Sequence, residues 1–185
     1  MLALTTKDPE PFAHVQTYHG FRSKPDITLY QGCNKWYRQL ASAQFKGRNG
    51  ELQITLGSTS YGEAPTEKVE CEGFFQVVHH FSLYLDSLLA RERFEWRDCR
   101  YGEVKAMRHS SGMKLVRVKT DEVIVVYAKV SCAMKKTGKM KFLNGSMLGN
   151  DFQIMAAMSL LSILEVEKRN LERRDRERCA SLFQL

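Results

Sequence analysis

No stretch of this chain approaches the run of roughly 20 apolar residues that spans a bilayer, which excludes a helical membrane anchor within it. No two of the five cysteines, Cys33, Cys71, Cys99, Cys132 and Cys179, form a C-x-x-C pair. That odd, wide spacing excludes a disulfide framework or a structural zinc site and points to free thiols in a reducing, intracellular compartment. Proline is scarce, four in 185 residues, and no low-complexity segment or long linker divides the chain, so one shared core is expected. The first eleven residues, Met1 to Pro11, have neither a secretory apolar region nor the Arg-rich, acid-poor character of an organellar presequence. A mitochondrial location stays open only if a presequence has been removed from a longer precursor.

Catalytic motifs are missing too. There is no G-x-S-x-G, no phosphate-binding loop and no G-x-G-x-x-G. Lys135-Lys136-Thr137-Gly138-Lys139 ends like a phosphate loop but lacks the upstream glycine and the following helix. His79 and His80 are adjacent rather than four apart, so they do not form a helical metal pair. His14, His19 and His109 stand near no carboxylate or thiol motif, and Cys99, although flanked by Arg97 and Arg100, has no histidine tied to it. The expectation is a non-enzyme with no catalytic residues, no metal site and no cofactor.

What the chain does have is cations and a core. Lys and Arg number 28 against 21 Asp and Glu, giving a formal charge of +7, and 43% of residues are hydrophobic. The pI near 9.2 favours a polyanionic partner, nucleic acid first and an acidic protein second.

The order of elements reads twice, as a block of short strands followed by one amphipathic helix, over about 12–92 and then 94–179. Residues 1–11 are expected to be an N-terminal extension and 180–185 a tail. In the first half, Phe12 to Phe21, Ile27 to Gln31 and Trp36 to Phe45 read as strands. Asn49-Gly50 is a hairpin signal, because both residues accept the positive φ of a type I′ turn. Leu52, Ile54 and Leu56 then alternate with polar neighbours, the period of a half-buried strand. Lys68 to Cys71 is short and extended. Phe74, Val77, Val78, Phe81, Leu85, Leu88 and Leu89 fall at helical spacing and predict a helix from Phe74 to about Arg91.

In the second half, Arg97 to Arg108, Met113 to Lys119 and Glu122 to Ala133 are expected strands. The run Val123 to Ala128 should lie centrally, covered on both faces. Met140 to Leu143 returns as a strand. A final helix starts at Asn150 or Asp151 with an apolar stripe of Ile154, Met158, Leu161, Leu164 and Leu171, then continues as a charged extension with pairs such as Glu165 with Arg169. The fold class expected is α+β, with two antiparallel sheet-plus-helix units packed as one domain. A pair of ferredoxin-like units ranks lower, for want of a strand after the last helix.

The candidate interface interleaves rings with cations. Trp36, Tyr37, Phe45 and Tyr61 alternate with Lys35, Arg38, Lys46 and Arg48. Such rings stack on bases while cations follow the phosphates. Arg117, Lys119, Lys135, Lys136, Lys139 and Lys141 extend the basic surface.

At Phe45-Lys46-Gly47-Arg48-Asn49-Gly50-Glu51-Leu52-Gln53-Ile54 the chain resembles the F-K-G-K hairpin of the positive-cofactor-four single-strand-binding domain. The duplicated order of elements is similar to that of the Whirly proteins and the kinetoplastid mitochondrial guide-RNA-binding proteins. The Whirly signature K-G-K-A-A-L is replaced here by Lys46-Gly47-Arg48, and by motif only Lys46 and Arg48 carry over. The resemblance implies a Whirly-like fold whose sheets bind single-stranded RNA or DNA and whose helices pack subunits into an oligomer, homomeric or with a paralogue. The competing expectation is a structural or assembly subunit of a ribonucleoprotein or viral particle, acting through protein contacts by way of its charged final helix.

Overall fold

A computed structural model describes residues 2–5, 11–18, 24–46, 51–57, 64–73, 77–130, 138–143 and 148–182. Eleven strands follow one another in space in the order they occupy in sequence, each antiparallel to the last. They are β1 (Leu2–Thr5), β2 (Pro11–Thr17), β3 (Ile27–Gln31), β4 (Gln39–Lys46), β5 (Glu51–Leu56), β6 (Thr66–Glu72), β7 (Val78–Leu85), β8 (Ala90–Cys99), β9 (Gly112–Arg117), β10 (Glu122–Lys129) and β11 (Gly138–Phe142). A four-residue helix α1 (Glu103–Ala106) lies between β8 and β9, and α2 (Asn150–Leu182) closes the chain. The result is a mixed α+β molecule with an open sheet whose outermost strands are β1 and β11.

The helix expected from Phe74 to about Arg91 is replaced over 77–91 by a continuation of the meander, because β7 and β8 pair from Leu85↔Ala90 to His79↔Trp96; residues 74–76 of that expectation lie outside the described residues. The reason lies in the spacing. Val77, Phe81, Leu85 and Leu89 are four apart, and a step of four returns to the same side of a helix and of a strand alike. Leu83 decides for the strand, since Phe81, Leu83 and Leu85 are buried at period two. Hydrogen bonds from Leu88 N to Leu85 O and from Leu89 N to Asp86 O close the turn. With that helix gone, the chain is a continuous sheet followed by one long helix rather than two tandem units.

Cross-strand pairing puts Val15, Leu29, Ala41, Leu56 and, further along, Leu52, Val69, Phe81, Phe94 on one face. The first half of α2 packs on this inner face. Phe152, Met155, Ala156, Met158, Ser159, Leu160, Ser162 and Ile163 are all buried, and at 3.6 residues per turn they span more than half the helix circumference. A helix apolar nearly all round belongs in a core. Of the expected stripe, Met158 is fully buried, Ile154, Leu161 and Leu164 are partly buried and pack against the core, and Leu171 is exposed. Small residues Ala156, Ser159 and Ser162 let the helix approach the sheet closely. There Phe94 meets Phe152 at 4.8 Å between ring centroids, and Trp96 Nε1 donates to Ser159 Oγ at 2.9 Å.

β10 is covered on both faces as its composition suggests, but it is next to the sheet edge rather than central. Its inner side meets the main core through Val125 and Tyr127. Val126 and Ala128 pack on the outer side with Cys99 and with Val104 of α1. Residues 97–108, expected as one strand, thus split into the end of β8, a turn and α1. Gly112 allows the close approach of β9 to β10, since a Cβ there would collide with the Tyr127 carbonyl oxygen.

Candidate nucleic-acid interface

Trp36 and Tyr37, expected on a strand, stand in the connection between β3 and β4. That loop is ordered by its own backbone. Gln31 N donates to Arg38 O at 2.9 Å across its base, and Trp36 N donates to Asn34 Oδ1 at 3.0 Å. Gly32 takes φ +76°, and a Cβ there would press on the Tyr37 ring, so glycine permits both the turn and the ring's position. Trp36 ends 85% exposed and Tyr37 54% exposed. Lys35 Nζ lies 5.1 Å from the Trp36 ring centroid, a cation–π distance, and Arg38 is exposed beside them. A large ring held in water by an ordered loop, with two cations at its side, can stack on a base and neutralise its phosphate.

Among the described residues, the other expected interface residues are not gathered around this loop. Phe45 turns inward against the core, and the Arg169 guanidinium lies 4.6 Å from its ring centroid; the ring is a packing group rather than a solvent platform. Lys46 is exposed but ends β4 at the end of the sheet opposite the Trp36 loop. Arg117 points to the inner face, with its side chain 17% exposed and paired to Glu92 at 3.0 Å, which leaves little of it for a phosphate. Lys119 is exposed, 3.9 Å from Glu92. Lys139 and Lys141 are exposed on β11, where lysines also discourage pairing of an edge strand with another chain. Arg48, Tyr61, Lys135 and Lys136 lie outside the described residues.

Inward carboxylates escaped the sequence reading. Glu92 is buried on the core-facing side of β8, and the hydrogen bond from Arg117 holds its carboxyl below the usual carboxylate range. Glu67 is similarly buried and meets Arg91. Their signal was the strand parity they share with buried neighbours, legible only once the register is known. His79 and His80 project to opposite faces of β7. Burial lowers the pKa of His79, opposed in part by Asp98.

The second half of α2 leaves the sheet at the end opposite the Trp36 loop. Arg169 marks the exit. It donates to Asp26 Oδ1 at 2.7 Å, to Tyr18 O at 3.0 Å and to Glu165 Oε1 at 2.9 Å. Beyond it residues 171–181 are exposed on every side, carrying Arg173, Arg174, Arg176 and Arg178 among Glu172, Asp175 and Glu177. No helix among the described residues is long and apolar enough to cross a membrane. Comparison with known proteins returns no matching family model, no matching curated protein and no matching solved structure.

Proposed function

We propose that this chain is a non-enzymatic single-stranded nucleic-acid-binding protein, with RNA ahead of DNA, whose stacking contact is the Lys35-Trp36-Tyr37-Arg38 loop. One observation carries the reading: Trp36 is 85% exposed on an ordered loop with Lys35 over its ring. Hydrophobic burial would normally draw a tryptophan inward, so a ring kept in water beside cations is suited to a flat, anionic ligand. Lys119, Lys139, Lys141 and Lys46 add long-range attraction within a net charge of +7. RNA is placed ahead of DNA only by the resemblance in element order read from the sequence, whose duplicated units the continuous sheet does not reproduce.

The two tryptophans make the test direct, because Trp96 is buried against α2 while Trp36 faces solvent. Titration with single-stranded RNA, single-stranded DNA and duplex at two salt concentrations should quench Trp36 fluorescence with single strands, and less so at high salt. Trp36→Ala should weaken binding between about 5-fold and 100-fold, the equivalent of losing one base-stacking contact. No binding to any of the three at low salt by the folded protein would sink the reading.

A second reading is favoured by the exposed helix over residues 171–181. There the chain is an assembly subunit, and truncation after Asn170 should abolish stoichiometric co-purification with a partner while leaving RNA affinity unchanged.

A further inference from the structure

On the outer face of the sheet, Glu70 and Glu72 stand two residues apart on β6, and His80 on β7 pairs directly across from Glu70. Period two on a strand places all three on one side. His80 Nε2 lies 3.0 Å from Glu70 Oε2 and 3.6 Å from Glu72 Oε1. One oxygen of each carboxylate and a ring nitrogen fall within 4.8 Å of one another. The histidine side chain is only 6% exposed, whereas the two carboxylates are 59% and 65% exposed. Packing therefore fixes the nitrogen donor while the oxygen donors close over it from solvent.

The geometry points to a binding site for one divalent first-row transition ion of the Mn²⁺ or Zn²⁺ kind, held by Glu70, Glu72 and His80. Two carboxylates balance a double positive charge, and a donor set of two oxygens and one imidazole nitrogen matches these ions rather than Ca²⁺ or Mg²⁺. Three protein donors leave the remaining positions to water. Arg93 Nη2 now stands 3.5 Å from Glu72 Oε2, so the guanidinium supplies part of the charge an ion would bring. Arg93 keeps a second carboxylate at Glu95, 3.5 Å from its Nε, and Glu95 is itself held by Arg97 at 2.9 Å. Lys68, on the same face of β6, is turned to Glu51 at 3.1 Å.

Ligation through Nε2 puts the imidazole proton on Nδ1, a buried atom with no hydrogen-bond partner among the described residues. Ligand histidines gain affinity when that second nitrogen donates to an acceptor. This site lacks that gain, which is about 10–100-fold in affinity. The histidine alone gave no such signal in the sequence, because its partners sit ten and eight positions upstream on another strand.

Mn²⁺ is the probe of choice, since Zn²⁺ would also engage the exposed thiols of Cys33, Cys71 and Cys179. The full chain is titrated without nucleic acid, following free Mn²⁺ by electron paramagnetic resonance and the histidine ring signals by NMR. One ion per chain should bind saturably, broaden the His80 ring signals first, and bind at least tenfold more weakly to Glu70→Gln/Glu72→Gln. Both substituted side chains are mostly exposed, so the variant should keep the wild-type circular dichroism. Absence of saturable binding overturns the proposal, as does equal affinity in a folded double variant. Because no nucleic acid is present, the outcome is independent of the Trp36 interface.

Discussion

Trp36 and Trp96 show how little residue type says about role. Trp96 is fully buried, and Trp96→Phe removes both volume and the donor to Ser159, a loss of about 1–3 kcal/mol that urea denaturation would read. Trp36→Ala, by contrast, should leave the denaturation midpoint unchanged while weakening nucleic-acid binding. Leu89 is another residue whose conformation, not its type, is informative: at φ 48° and 79% exposure, a branched side chain sits in the left-handed region. Leu89→Gly should raise stability by about 0.5–1 kcal/mol, since it relieves that strain at a position with little packing to lose. A thermal melt that falls instead would show that the Leu89 side chain makes a contact worth more than its backbone strain.

Among the elements, α2 has two physically different halves. Ile163→Ala in the buried half should destabilise the fold by about 2–5 kcal/mol, the usual range for a cavity in a packed core. Truncation after Asn170 should change the melting temperature by no more than a degree or two, because residues 171–181 pack on nothing among the described residues. Arg169 is where the two regimes meet. Arg169→Lys should weaken the anchor despite keeping the charge, since a planar guanidinium reaches Asp26, Glu165 and the Tyr18 carbonyl together and an ammonium does not. Much of this was legible beforehand: the start of α2, its charged extension, and eight of the strands in approximate position. The hairpin of β7 and β8 was not, because apolar residues four apart satisfy both periods and the tie is broken only by Leu83, buried at period two between Phe81 and Leu85.

At the scale of the molecule, one continuous core joins β2 through β10 to α2, and chemical denaturation should show a single transition by Trp96 fluorescence and far-ultraviolet circular dichroism. Acid should act through named groups. Glu92 has a lowered pKa through Arg117; it stabilises the fold above its unfolded value of about 4.3, and that contribution is lost as pH falls through its folded value. His79 has a lowered pKa through burial, so stability begins to fall as pH drops below its unfolded value of about 6.5. Arg117→Gln should be less stable at neutral pH and show a shallower acid limb, because it removes the hydrogen bond that lowers the Glu92 pKa. A limb as steep as the wild type's would assign the acid loss to other groups.

Composition and local pattern by themselves determined the α+β class, the free-thiol chemistry, the long terminal helix and the basic surface, because each follows from residue counts or from neighbours a few positions apart. Tertiary structure alone decided which side of each strand is inside. It turned Phe45 and Arg117 inward and brought Glu70 and Glu72 to His80 across a strand pair. Those outcomes depend on register, and register is fixed by pairing between strands rather than by the sequence within one of them.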